Sequence, residues 1–151
     1  MISVDNPVRL FVTHLWQADD DYLRVIEYLE GARRFHYQNT AEPDRCPPGG
    51  REAEREALRR QITPAECVIA LTGHFERNGD LVQSMIRQAR AAKKIVLVLP
   101  RFGAVTPVPR ALAIHAHAVL AWNDREIVDS IRRLVRNEDI PQWDTIEFTL
   151  D

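Results

Sequence analysis

Five short, mainly apolar runs alternate along the chain with stretches in which apolar residues recur every three or four positions. The runs occupy residues 8–13, 35–37, 67–72, 95–99 and 118–122. Unbroken apolar runs of this length are typical of strands that are covered on both faces, whereas the three-to-four spacing is typical of helices that bury one side. The alternation predicts an α/β domain in which helices connect five parallel strands.

For a domain of this size we expect the flavodoxin-like sheet, with strand order 2-1-3-4-5 and helices on both faces. Strands one and three are then neighbours at the switch point, and a ligand binds beyond their carboxyl ends. Asn39, in the loop after strand two, could close over a ligand or hold a turn. Phe11 is expected in the core, where its ring could border the pocket. The other candidate binding residues follow strands one and three: Thr13, His14, Leu15, Trp16, Thr72, Gly73, His74 and Phe75.

Composition narrows the function classes. The 151 residues suffice for one domain with its own core, and a net charge of -2 provides no global basic field for nucleic acid. Cys46 lies in a Pro/Gly-rich loop and Cys67 in a strand, which favours reduced thiols over a disulfide framework. Because no apolar run could span a bilayer and no signal pattern opens the chain, we expect a cytoplasmic protein without membrane contact.

Familiar sequence signatures are missing from the predicted loops. Strand one is followed by no glycine-rich dinucleotide fingerprint, and the chain contains no Walker phosphate loop. A phospho-receiver would need acidic residues after strand one and an aspartate after strand three, where this chain has Thr13-His14 and Thr72-Gly73. The five histidines form no short-spaced set with cysteine or acid, so we predict no metal site.

The segment from Phe11 to Trp16, Phe-Val-Thr-His-Leu-Trp, resembles the first strand and loop of TIR-like domains. Residues 35–39 are similar to the second strand and asparagine-bearing loop of that family, and residues 58–73 to its next helix and third strand. The similarity runs over residues 9–135 in matching order and spacing. It is closest to the TIR-like proteins of the bacterial Thoeris antiphage system.

This resemblance implies a signalling protein of antiphage defence that binds NAD. Such domains hydrolyse the nicotinamide glycosidic bond, and some make an ADP-ribose-derived signal that activates an effector protein. Their essential glutamate lies on the helix after strand three, and the pattern around Ile86 and Ala89 places Met85 at that position. A neutral thioether cannot stabilise the positive charge that develops on the ribose.

Two hypotheses follow. In the first, Glu76 or Asp80 replaces the glutamate and the protein cleaves NAD; the alternative roles are a solvated loop residue for Glu76 and a helix cap for Asp80. In the second, the domain is a catalytically inactive adaptor or scaffold beside an effector or an active TIR-like paralogue, and Met85 is a core contact. A nucleoside-transferring enzyme of similar architecture is a third class.

Several residues keep two interpretations. His14 could contact phosphate or ribose, or bond a loop carbonyl, and Trp16 could stack on nicotinamide or adenine, or pack under the first helix. His74 could aid proton transfer or be an exposed loop histidine. We place the domain at residues 1–137. Residues 138–151 are expected to form a tail that is strand-like or binds a partner, for which another copy of the chain is one candidate.

Overall fold

A computed structural model describes residues 1–138 and contains a five-stranded, all-parallel sheet. The strands are β1 (Val8–Val12), β2 (Tyr37–Asn39), β3 (Cys67–Leu71), β4 (Ile95–Leu99) and β5 (Ala118–Val119). The helices are α1 (Asp20–Gly31), α2 (Gly50–Ile62), α3 (Thr72–Arg77), α4 (Gly79–Ala91), α5 (Arg110–Ala113) and α6 (Asp124–Val135). The strand order is β2-β1-β3-β4-β5, which confirms the predicted flavodoxin-like fold class.

The central strand β3 is covered on every side. Cys67 is in register with Leu10 of β1 on one side and with Ile95 of β4 on the other. All five β3 side chains are buried, which explains why the apolar run in the sequence is unbroken. The expected buried state of the Cys67 thiol is confirmed, and burial raises its pKa to about 12.

Two apolar cores lie on opposite faces of the sheet. On one face α1 and α6 pack with residues such as Val25 and Ile131, and on the other face α2 and α4 pack with residues such as Leu58 and Ile86. Met85 is 0% exposed and belongs to the second core. The prediction that Met85 is a core contact is therefore confirmed.

The structure differs from the sequence prediction after β3. We expected Gly73 to end the strand in a loop and Asp80 to cap the following helix. Instead β3 continues directly into the short helix α3, and the Asn78 Oδ1 atom caps α4 by accepting the Leu81 N–H at 3.2 Å. The cap role expected for Asp80 is therefore wrong, and its carboxylate has no hydrogen-bond or ion-pair partner within residues 1–138.

Smaller differences concern the ends of the sheet. The second strand lies at Tyr37–Asn39 rather than at residues 35–37, and the fifth strand has only two residues. No helix within residues 1–138 combines the length and the apolar character needed to cross a bilayer. The tail from residue 139 onward lies outside the part of the chain that the structure describes.

Candidate functional site

The carboxyl ends of β1 and β3 are joined by a buried hydrogen-bond network. The Thr13 Oγ1 atom lies 3.1 Å from Nδ1 of His74 and accepts the Leu71 N–H at 3.2 Å. Thr13 and His74 are both 0% exposed. Because the Thr13 oxygen already accepts from Leu71, its hydroxyl proton is placed to donate to Nδ1 of His74.

The second nitrogen of His74 faces a carboxylate. Its Nε2 atom lies 3.0 and 3.1 Å from the two Asp19 carboxylate oxygens, so it carries the proton and donates it to Asp19. The Arg77 Nη2 atom donates to Asp19 at 2.7 Å and to Asp21 at 3.0 Å. Thr13, His74, Asp19 and Arg77, here called the His74 network, thus connect the end of β1 with the starts of α1 and α3.

The His74 network links a hydroxyl, an imidazole and a carboxylate in the order of a catalytic proton relay. Its hydroxyl and imidazole are buried, however, and we assign it a structural role. Thr13 is fully buried, so a substrate cannot reach its oxygen. His74 was expected in an exposed loop, which is wrong because α3 begins immediately after β3 and turns the imidazole inward. What the network does is fix α1 and α3 at the carboxyl edge of the sheet.

Acid should weaken this junction through Asp19. Burial alone would raise the pKa of Asp19, but hydrogen bonds from His74, the Tyr22 N–H and Arg77 lower it below the ordinary value of 3.8. A carboxylate with a lowered folded-state pKa stabilises the fold above its unfolded-state pKa, and this contribution is lost as the pH falls through the folded-state value. Urea unfolding followed from about pH 5 down to 2 should show a loss of stability that is smaller in Asp19→Asn.

Asp20→Asn is the matched control for this experiment because Asp20 is the neighbouring, exposed carboxylate. It should keep the acid dependence of the wild-type protein. An unchanged acid dependence in Asp19→Asn would contradict the assigned role of the Asp19 carboxylate.

His14 is also held by the protein itself. It is buried, its Nδ1 atom accepts the Trp16 N–H at 3.1 Å, and its Nε2–H donates to Gln61 Oε1 at 3.0 Å. Burial lowers the pKa of His14 below 6.5, so the ring is neutral at pH 7. Both ring nitrogens are engaged, and a ligand would have to displace one of these contacts; a direct role in binding stays a prediction.

Gln61 connects the loop after β1 with the loop after β2, a contact that was not predicted from the sequence. Its Oε1 atom accepts from His14 and from the Glu42 N–H at 2.9 Å, so the loops after β1 and β2 share one acceptor. Its burial could have been predicted from helical spacing, because Gln61 follows Leu58 by three residues and lies on the buried side of α2. It stands in a charged helix, however, and a polar residue there is typical of a solvated face.

Trp16 and Asn39 border the same region. Trp16 has a left-handed backbone with φ of 62°, its ring packs edge-on against His14 at 4.8 Å, and its buried Nε1–H has no protein partner among the described residues. Asn39 donates to the Tyr22 hydroxyl at 2.6 Å and accepts the Ala41 N–H at 3.1 Å. Asn39 thus holds its turn, while the buried indole N–H of Trp16 is left without a partner among the described residues. Their predicted contacts with a nucleotide stay predictions.

One cavity lies between α2 and α4 and has a volume of about 350 Å³. We call it the α2–α4 cavity. Arg55 at its edge pairs with Glu52 at 3.0 Å. Within residues 1–138, the other charged lining residues form no ion pair. The lining consists of Arg51, Glu54, Arg55, Leu58, Asn78, Asp80, Leu81, Ser84 and Arg87.

A second cavity, of about 520 Å³, lies at the carboxyl edge between α1, α3 and the loop after β4. We call it the Phe102 cavity. Glu76 lies in it and pairs with Arg101 at 3.6 Å. The two acids proposed to replace the glutamate, Glu76 and Asp80, thus line different cavities, and Met85 lines neither. The Phe102 cavity is lined by Asp21, Arg24, Gly73, Glu76, Arg77, Arg101 and Phe102.

Gly73 has a steric role next to the His74 network. A Cβ atom at this position would lie 2.5 Å from the Asp21 Oδ2 atom, which accepts from Arg77. A side chain at Gly73 would therefore push the Asp21 carboxylate away from Arg77. Its predicted contact with a cofactor stays a prediction.

Comparison with known proteins adds little to this geometry. No family model and no curated protein matches the chain. A solved structure, the Clostridium botulinum CMP N-glycosidase BcmB, is similar at 17% sequence identity and a TM-score of 0.46, over 83% of this chain and 98% of that one. The function of the chain therefore has to be inferred from the residues that line its own cavities.

Proposed function

We propose that this protein is a TIR-like signalling protein of antiphage defence that binds NAD, or a related nucleotide, in the α2–α4 cavity and cleaves its N-glycosidic bond. The observation that carries the proposal is the Asp80 carboxylate, which has no ion-pair partner within residues 1–138. Its cavity also contains two guanidinium groups without ion-pair partners in that range, Arg51 and Arg87. An acid near the ribose and cations near the phosphates are the groups that this reaction needs.

The lining supports binding of a phosphorylated nucleotide. Arg51 and Arg87 approach from two different helices, and guanidinium groups bind phosphate oxygens in a bidentate geometry. Leu81, which is partly exposed, provides an apolar contact for a planar ring. The volume is at the lower end of the range of about 300–1,000 Å³ for small-molecule sites, so we expect the cavity to hold one half of a dinucleotide.

In this proposal the Asp80 carboxylate acts on the glycosidic bond. As the bond between C1′ and nicotinamide breaks, its electrons stay with the ring nitrogen, which loses its positive charge, and positive charge develops on the ribose. A carboxylate stabilises that charge and accepts the proton of the water whose oxygen bonds to C1′. Because Asn78 caps α4, the Asp80 carboxylate is free for this role.

Nicotinamide release from NAD by the purified protein tests this function. Asp80→Asn should lower the rate by about a hundredfold or more, because it removes the group that stabilises the transition-state charge. Arg87→Ala should raise KM more than it lowers kcat, since phosphate binding contributes equally to the ground state and the transition state.

Glu76→Gln is the matched control because Glu76 lies in the Phe102 cavity. It should release nicotinamide at the wild-type rate. Activity that survives in Asp80→Asn and disappears in Glu76→Gln would move the reaction to the other cavity and overturn the assignment of Asp80.

A catalytically inactive adaptor or scaffold is the second candidate, and one observation favours it. Met85, which the family resemblance places at the glutamate position, is 0% exposed in the core and cannot approach a substrate. This function requires NAD to bind without nicotinamide release, alone or with the effector or TIR-like paralogue present. Light scattering would then detect assembly with such a partner, or of the chain with itself.

A further inference from the structure

We infer that the Phe102 cavity is a second ligand site, separate from the α2–α4 cavity, and that it binds a nucleoside monophosphate. Three elements contribute to it: α1, α3 and the loop that follows β4. The inference depends on how the arginines, the carboxylates and the aromatic ring of this cavity are held, and it does not require that the protein cleaves NAD.

The arginines of the Phe102 cavity differ in how firmly they are paired. Arg77 is fixed by short contacts to Asp19 and Asp21, at 2.7 and 3.0 Å. The ion pairs of Arg24 and Arg101 are long, to Asp21 at 3.9 Å and to Glu76 at 3.6 Å. Exposed ion pairs of this length contribute little. A phosphate can therefore replace the carboxylate partners of Arg24 and Arg101, while Arg77 stays bound to Asp19 and Asp21 in the wall of the cavity.

Phe102 is an exposed aromatic ring that the protein nevertheless holds in position. The guanidinium carbon of Arg24 lies 4.2 Å from the ring centroid, and the Trp122 ring packs edge-on at 5.5 Å. Trp122 is fixed in turn by a hydrogen bond from its indole N–H to the Pro100 carbonyl oxygen at 2.7 Å. Phe102 is still 50% exposed, so a pre-positioned apolar surface faces the solvent. A nucleobase can pack on this surface at little entropic cost.

The carboxylates select for a sugar between the phosphate and the base. When a phosphate takes Arg101, the Glu76 carboxylate, which is 44% exposed, can accept hydrogen bonds from the bound ligand. Ribose hydroxyl groups are donors that carry no negative charge, whereas a second phosphate would be repelled by Glu76 and Asp21. The combination of two exchangeable arginines, one free carboxylate and one fixed ring fits a single nucleotide with one phosphate. The volume of about 520 Å³ lies within the range for ligands of this size.

Titration calorimetry on the full chain tests the site, with AMP, UMP, ribose 5-phosphate and inorganic phosphate as probes. At least one nucleotide should bind saturably and more tightly than ribose 5-phosphate. Arg101→Ala should weaken nucleotide binding roughly tenfold, as expected for a lost charge-assisted contact to phosphate. Phe102→Ala should weaken nucleotide binding severalfold and leave ribose 5-phosphate unchanged.

Two controls separate this site from its surroundings. Val105→Ala changes an exposed apolar residue of the same loop. Arg110→Ala removes an exposed positive charge that lines neither cavity. Both should leave nucleotide affinity at the wild-type value. The inference is overturned if neither nucleotide binds, or if Arg87→Ala abolishes binding that Arg101→Ala leaves intact. Nicotinamide release measured in Arg101→Ala reports on the proposed function independently, because Arg101 is absent from the α2–α4 cavity.

Discussion

Replacing Met85 with the glutamate that the TIR-like resemblance places at this position, Met85→Glu, is expected to unfold the protein rather than to produce an NAD-cleaving enzyme. Met85 is 0% exposed and packs in the core with Leu58 and Phe11. A carboxylate there would be buried among apolar side chains without a partner, at a cost of at least about 3 kcal/mol. That is a large part of the ~5–15 kcal/mol that holds a typical domain folded. Urea unfolding monitored by circular dichroism measures the loss.

Two further substitutions at residue 85 distinguish the destabilisation due to the buried charge from that due to the changed side-chain shape. Met85→Leu conserves the apolar volume and should cost less than about 1.5 kcal/mol. Met85→Gln has the size of glutamate without its charge, and should fall between the other two variants. A stable Met85→Glu protein that gains nicotinamide release would show that residue 85 faces a ligand, and would overturn its placement in the core.

The buried and exposed sides of α4 carry different residue types, which explains why the burial of Met85 could be predicted from the sequence. Its buried side chains are Val82, Met85, Ile86 and Ala89, which recur at helical spacing. Asp80, Ser84 and Arg87 recur at the same spacing on the side that faces the α2–α4 cavity. Helical periodicity alone therefore places Met85 on the sheet side of α4. The runs that form β3 and β4 were predictable for a similar reason, since only strands buried on both faces are apolar throughout.

The helix α3 could not be predicted in the same way. Its sequence, Thr-Gly-His-Phe-Glu-Arg, has no apolar period, and a glycine directly after a strand is typical of a loop. Packing at the carboxyl edge selects the helix, because only this turn brings His74 to Thr13 and Arg77 to Asp19. The burial of His74 and the capping role of Asn78 both follow from α3, and both were therefore missed.

The contacts within the candidate site could not be predicted from sequence patterns either. The strand order correctly brought the loops after β1 and β3 together, yet the partners within them are far apart in the chain. Thr13 and His74 are separated by 61 positions, and Asp19 and His74 by 55. Sequence patterns give the position of a loop in the fold but not the pairing of individual polar side chains inside it. This is why the hydrogen bond between Thr13 and His74 was not predicted from the sequence.

Replacing His74 with leucine is expected to destabilise the domain by about 2–4 kcal/mol, because it leaves two polar groups at the carboxyl edge without their partner. The Thr13 hydroxyl loses the nitrogen to which it donates, and the Asp19 carboxylate, 11% exposed, loses the Nε2–H. His74→Gln can still donate to Asp19 and should recover part of the loss. His36→Leu, at an exposed histidine, should stay within about 0.5 kcal/mol of the wild-type protein. Because the His74 network fixes α1 to α3, hydrogen exchange in His74→Leu should rise first in these two helices. Stability equal to that of the wild-type protein, with no change in exchange there, would mean that the network is not what holds the junction together.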